Sequence, residues 1–398
     1  MGQCGNSNYT NHMKNILLIG EYYSANLGDP LLCRVVQKTI VDAFPETNIV
    51  PFDISGKIGW DTSYTTKHCV SLQLWFNRLE YRLPTILNSF TLFRVINMDS
   101  HRYFSSICLL DSLLSHHSFD CAVFAGGSIF MDYFSGVIWG ILKRLDDKKI
   151  PTVFHACGMS HFTDDTQAIL SKALLRKNIK SISLRDSFTK FNELFQLSIN
   201  QEITETYDTA LVSSKYFTVN SGNKIDIGIG IIGIDKYYEL QREIVSSVMR
   251  SGKSWHLFTN GSLQDFDIAL KILAELGINK REFHSYIYDS PKNVDELICN
   301  INSFNRIISF RMHSQIIATS YGIPSFGFIW DSKVKEFYEK IGFPMNCQLP
   351  EEIFRLEEVI DRLEIDSSLL RHRARNLGEE SQQNLIKQLK KLNVEALQ

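Results

Sequence analysis

Short apolar runs, each closed by Gly or polar residues and followed by a segment of helical period, recur along the whole chain. In the first half they are NILLIG (15–20), NIVPF (48–52), CAVFAGG (121–127), TVFHACG (152–158) and SISLRD (181–186). In the second half they are DIGIGIIG (226–233), WHLFTNG (255–261), FHSYIYD (283–289), RIISF (306–310) and SFGFIW (325–330). Their brevity and their β-branched and aromatic content predict strands rather than buried helices. Strands alternating with helices build parallel sheets with right-handed crossovers. Two such sets predict two doubly wound, Rossmann-like α/β domains, which we expect to face each other across a central cleft.

The polar stretch 213–224, SSKYFTVNSGNK, separates the two sets. The expected organisation is a disordered leader (1–13), an N-terminal α/β domain (14–215), a C-terminal α/β domain (224–345) and a helical tail (351–398). Residues 64–118, rich in aromatic and basic side chains around Pro84, predict a helical insertion in the first domain. It reads either as core-facing helices or as a peripheral patch for a membrane interface or a lipid-linked acceptor.

Composition narrows the class. A chain of 398 residues is too long for one compact core, which agrees with two domains. The formal net charge of -2 gives no electrostatic case for a nucleic-acid partner. The cysteines are scattered and form no CxxC pair, so neither a zinc site nor a disulfide framework is expected. Polar residues fill the start of the chain, and the uncharged run 83–93 is about half of what a membrane span needs. A cytoplasmic protein is expected, with oligomeric state left open.

Candidate chemistry gathers where strands end. In consecutive parallel βα units the strand-to-helix turns open at one edge of the sheet. Arg311 and His313 follow RIISF, and Lys333 and Lys335 open the helix after SFGFIW. With two helix N-termini nearby, four groups that are or can become cationic predict a site for a compact polyanion. His313 is suited to proton transfer near neutral pH. After NILLIG come Asn26, Gly28 and Asp29, then Pro30. Asp29 reads as a helix N-cap, or as a group that binds or deprotonates a hydroxyl while Gly28 lets the backbone approach a ligand. Gly126, Gly127 and Ser128 read as a strand-to-helix turn that exposes N–H groups or permits tight packing. Arg185 ends SISL, where it can pair with a carboxylate or a phosphate, or form an ordinary salt bridge. The dinucleotide fingerprint G-x-G-x-x-G is absent from the first turn.

Taken in order, Asn26-x-Gly28-Asp29, Gly126-Gly127, Ser183-Leu184-Arg185-Asp186, Tyr207-Asp208-x-Ala210, Arg311-Met312-His313, Gly322-Ile323-Pro324 and Lys333-Val334 resemble the polysaccharide pyruvyl transferase family. The third position of the family's glycine run holds Ser128, and residues 64–118 have no counterpart. The resemblance implies a GT-B-like fold. It implies an enzyme that moves the pyruvyl group of phosphoenolpyruvate onto two hydroxyls of a sugar, free or lipid-linked. It needs neither a metal nor a resident cofactor. On that footing His313 is the acid, and Arg311, Arg185, Lys333 and Lys335 bind the donor. Asp29 serves the acceptor, and Asn26, Gly28, Gly126, Gly127, Ser128 and Asp208 line the cleft. A nucleotide-sugar glycosyltransferase and a non-catalytic glycan-binding relative are the alternatives.

Overall fold

The structure is a computed structural model and describes residues 13–60, 100–195, 201–219, 222 and 224–395. The expected leader, apart from residue 13, and residues 64–99 of the expected insertion lie outside these. The described residues divide into two compact units. The first holds residues 13–20, those within 36–204, and 383–395; the second holds 21–35 and those within 205–382.

The first unit is built on a sheet of order β2-β1-β3-β4-β5-β6. Its elements are β1 (Asn15–Gly20), α1 (Gly28–Ala43, shared with the second unit), β2 (Asn48–Asp53), α2 (Ser100–His116), β3 (Cys121–Phe130), α3 (Asp132–Asp147), β4 (Thr152–Met159), α4 (Asp164–Leu174), β5 (Ile179–Leu184), α5 (Phe188–Phe195) and β6 (Glu202–Glu205). Adjacent registers from β2 to β5 are parallel. The core rests on aromatics along β3 and β4, with Phe124 stacked on Phe154 at 4.2 Å between centroids. Helix α2 supplies the described part of the expected insertion and packs Tyr103, Ile107 and Leu110 into this core.

The second unit holds α6 (Ser213–Tyr216), β7 (Ile225–Gly230), α7 (Tyr238–Arg250), β8 (Trp255–Phe258), α8 (Leu263–Glu275), α9 (Val294–Asn302), β9 (Phe304–Ser309), α10 (Met312–Ser320), β10 (Ser325–Phe328), α11 (Ser332–Lys340), β11 (Cys347–Gln348), α12 (Leu356–Arg362) and most of α13 (Ser367–Glu395). The strand order is β11-β10-β9-β7-β8, and its registers are parallel. Ile307 joins one core cluster and Ile308 the other, as strand alternation requires of a sheet covered on both faces. Each sheet places its first strand between its second and third, so the topological switch falls between β1 and β3, and between β7 and β9.

Several expectations are corrected. Residues 283–289 form no strand: a 3-10 turn spans Lys280–Ser285 and only Ile287 bridges to Leu257. Gly126 and Gly127 lie inside β3 rather than in a turn after it. Both have positive φ (70° and 82°) and form an irregularity before Phe130, a conformation that glycine supplies without a Cβ penalty. The division between units falls at Thr204/Glu205, upstream of 213–224. Its cause is packing: Ala210, Leu211, Val212 and Phe217 share a core with Ile316 and Ile317, and Ser214 N–H donates to Ser320 Oγ at 2.9 Å. Met13, assigned to the leader, is buried, and its carbonyl accepts from Thr47 Oγ1.

Phe154 is fully buried and packs against the rings of Phe124 and Phe130, so Phe154→Ala should destabilise the protein by about 3–5 kcal/mol. Urea unfolding checks this; an unchanged midpoint would contradict the assigned core.

Candidate functional site

The second unit carries the denser arrangement. Helix α10 begins at Met312 with Arg311 as its N-cap, and the Arg311 side chain makes no cap hydrogen bond to it. Its N-terminus therefore presents partial positive charge beside the β7/β9 switch. His313 sits in the first turn, with its side chain only 8% exposed, and its Nδ1 lies 3.8 Å from Asp29 Oδ1. Asp29 belongs to the first turn of α1 rather than to a cap before it, because the helix already starts at Gly28. Its Oδ2 accepts from Ser24 Oγ at 3.2 Å and from Asn26 Nδ2 at 3.1 Å, which leaves Oδ1 directed at the imidazole.

Asn260 ties the Asn26–Asp29 turn to α10. Leu27 N–H donates to Asn260 O at 2.8 Å, Asn260 Nδ2 donates to Asn26 Oδ1 at 3.4 Å, and Ser314 Oγ donates to Asn260 Oδ1 at 2.6 Å. A Cβ on Gly28 would overlap the His313 ring. A Cβ on Gly261 would sit 2.7 Å from Ala25 O, and φ there is +106°. Glycine is thus required on both sides of this contact, and Asn260 ties it together from within.

Each predicted cation of this unit has a carboxylate beside it. Arg311 is held side-on by Asp265: Nε donates to Oδ2 at 2.9 Å and Nη2 to Oδ1 at 2.6 Å. Asp265 is fully buried, whereas the Arg311 side chain is 23% exposed. Lys333 Nζ lies 3.2 Å from Asp331 Oδ2 and 4.8 Å from the centre of the Trp330 ring. Trp330 Nε1 in turn donates to Phe310 O at 2.6 Å, which fixes Lys333 beside the β9 turn. Lys335 does not join them: its side chain is 62% exposed and pairs with Glu339 one helical turn on. The expected positive cluster is therefore three charge-compensated groups. Asp208, expected in the cleft, caps the 3-10 turn Thr209–Val212 by accepting from Ala210 N–H.

Arg185, Gly126, Gly127 and Ser128 meet in the first unit. The Arg185 side chain is 3% exposed; its Nη2 donates to Ser128 Oγ at 3.0 Å and its Nε lies 3.8 Å from Asp186 Oδ1. A Cβ on Gly158 would press on Arg185 Nε and Asp186 Oδ2, both at 2.8 Å. Asp186 accepts from Met159 N–H at 2.6 Å rather than capping α5, where Ser187 accepts from Lys190 N–H. Next to it Ala156 has a φ of 52°, and its N–H donates to Ser183 Oγ at 3.1 Å. Arg185 is thus a buried arginine beside two strand irregularities of a parallel sheet. Burial pushes the thiol of Cys157 beside it far up, against the reactive thiolate form.

Residues 26–332 match the polysaccharide pyruvyl transferase family. The chain belongs to that family. No curated protein sequence matches it. Among solved structures it is similar to a putative UDP-N-acetylglucosamine 2-epimerase from Listeria monocytogenes, with TM-score 0.59 and 11% identity, over 95% of this chain and 96% of that one. A trehalose-phosphate synthase (UDP-forming) from Burkholderia vietnamiensis gives TM-score 0.55 and 11% identity, over 97% and 99%. The Methanocaldococcus jannaschii UDP-GlcNAc 2-epimerase in complex with UDP-GlcNAc and UDP gives 0.51 and 11%, over 94% and 99%. At such identity the likeness establishes a GT-B-like fold of two Rossmann-like domains. Among the described residues no helix is long and apolar enough to cross a membrane.

Asp265, Asn260, Ser314 and Trp330 were missed from sequence. Only the Asn-Gly after WHLFT signalled a close approach at that edge. In this family member, Gly28→Ala should slow transfer by about a hundredfold by displacing the imidazole, with the far-ultraviolet circular dichroism unchanged. Full activity would remove the Gly28–His313 contact from the site. Arg311→Ala should cost about 3 kcal/mol of stability by stranding Asp265, and adding Asp265→Asn should recover most of it. Chemical denaturation measures both.

Proposed function

We propose that this transferase moves the pyruvyl group of phosphoenolpyruvate onto two hydroxyls of one sugar, forming a cyclic ketal during assembly of a cell-surface polysaccharide. The observation that carries the reading is the buried His313, backed by Asp29, in the first turn of a helix whose N-cap residue, Arg311, makes no side-chain cap hydrogen bond. Phosphoenolpyruvate bears a carboxylate and a phosphate. A helix N-terminus, the Arg311 fork and Lys333 suit those two groups.

In this scheme His313 gives a proton to the methylene carbon, which becomes a methyl group and leaves C2 oxocarbenium-like. The first sugar hydroxyl bonds to C2 through oxygen and returns its proton to His313. The second hydroxyl then bonds to C2 as the C2–O bond to phosphate breaks, and its proton leaves with the phosphate. One donor and one diol thus yield one ketal and one inorganic phosphate. Asp29 takes a different part from the one first expected: it orients the imidazole and stabilises its protonated form, as a carboxylate behind a catalytic histidine does. The reaction draws on no resident cofactor. We place it in the cytoplasm, where a lipid-linked acceptor would be met at the inner face of the membrane.

Ligand-induced thermal stabilisation tests the donor. Phosphoenolpyruvate at about a hundred times its Kd should add about 2.7 kcal/mol, and UDP-, GDP- and CMP-sugars should add nothing. Stabilisation by a nucleotide sugar alone would turn the assignment to a glycosyltransferase. His313→Ala should lower turnover by a factor of about 10²–10⁴ while phosphoenolpyruvate still binds. Wild-type phosphate release from that variant would sink the acid assignment.

A further inference from the structure

We infer that Asp265 is a positioning residue that makes Arg311 a reader of carboxylate shape rather than of negative charge, an inference that rests on the donor reading above. Asp265 lies in the first turn of α8, is fully buried, and serves both lips of the β7/β9 switch at once. From the β7 side, Gly233 N–H donates to its Oδ1 at 2.7 Å. From the β9 side, the Arg311 Nε–Nη2 edge takes both carboxylate oxygens. The approach depends on glycine, because a Cβ at position 233 would lie 2.6 Å from Gln264 Cγ and 3.0 Å from Asp265 N. The β7 loop is pinned again by Gln241, which donates to Ile232 O at 3.0 Å and accepts from Ile232 N–H at 2.8 Å.

Two consequences follow for Arg311. With its side edge occupied, the guanidinium offers a bound anion its Nη1–Nη2 end, whose parallel N–H bonds match the two oxygens of a planar carboxylate. Its charge is already balanced, so attraction to anions in general is weakened while the orientation of the fork is fixed. An unpaired arginine would favour any compact anion. A paired and oriented one favours the anion whose oxygens fit the fork. Asp265 therefore acts on discrimination between phosphoenolpyruvate and plain oxyanions of similar charge, and its effect passes through Arg311.

Calorimetry with phosphoenolpyruvate and with inorganic phosphate as probes tests this on the wild type, Asp265→Asn, Arg311→Ala and the double variant. The wild type should prefer phosphoenolpyruvate, and Asp265→Asn should cut the ratio of the two dissociation constants by about tenfold, whichever way each constant moves. On the Arg311→Ala background the same substitution should leave the ratio unchanged, since the residue it acts through is gone. A general loosening of the fold would weaken both probes alike and keep the ratio. Should Asp265→Asn fail to fold, Arg311→Lys keeps the charge but not the fork and should lower the ratio by a similar factor. An unchanged ratio in the folded variants, or an equal drop on the Arg311→Ala background, would overturn the positioning role. Absence of phosphoenolpyruvate binding to the wild type would instead overturn the donor reading, and the inference with it.

Discussion

The contact between the Asn26–Asp29 turn and the start of α10 is the constraint on which the second unit's site depends. It works at the distance of bare backbone, because a Cβ on Gly28 would overlap the His313 ring. That closeness brings the Asp29 carboxylate to the imidazole and lets Asn260 bind the turn through Leu27 and Asn26 while receiving Ser314. The turn follows the first strand in sequence, yet its residues group with the second unit. A histidine on a nine-residue helix acquires its partner from a segment nearly three hundred positions away. The imidazole packs directly on the Gly28 backbone, with no side chain between them.

Electrostatics in this site is local and compensated. Arg311, Lys333 and His313 each face a carboxylate, at 2.6, 3.2 and 3.8 Å. Long-range attraction of anions is correspondingly weak, in keeping with a net charge of -2. What remains is directional: N–H forks, a helix N-terminus and an imidazole held at fixed angles. Preorganised donors of this kind cost no rearrangement at the moment of reaction. In the first unit the buried Arg185, engaged by Ser128 and beside Asp186, follows the same logic.

Much of the fold was legible because it rests on local pattern. Runs such as NILLIG and RIISF carry enough β-branched residues to name their strands, and their alternation with helices implies parallel sheets. Residues 283–289 misled for the same reason: FHSYIYD has the composition of a strand, but a 3-10 turn takes its first residues and only Ile287 forms a bridge, to Leu257 of β8. Gly126-Gly127 read as a turn because local sequence does not reveal that Ser128–Phe130 pair on as strand. The candidate cations were legible as residue types at strand ends. The counter-ion of Arg311 was not, since Asp265 stands 46 positions away and only folding joins them. Lys335 shows the converse: an i,i+4 glutamate was in plain view, and the lysine stayed on the helix surface.

The central claim is that a histidine held by a carboxylate protonates the methylene carbon of a carboxylate-bearing phosphate donor. The most direct measurement is the isotopic composition of the product formed in D2O from phosphoenolpyruvate and a glycan-lipid extract, read by mass spectrometry. The account predicts one deuterium in the methyl group of the ketal for each inorganic phosphate released. A product whose methyl group carries no solvent deuterium, or a transferred sugar with no ketal at all, would contradict it.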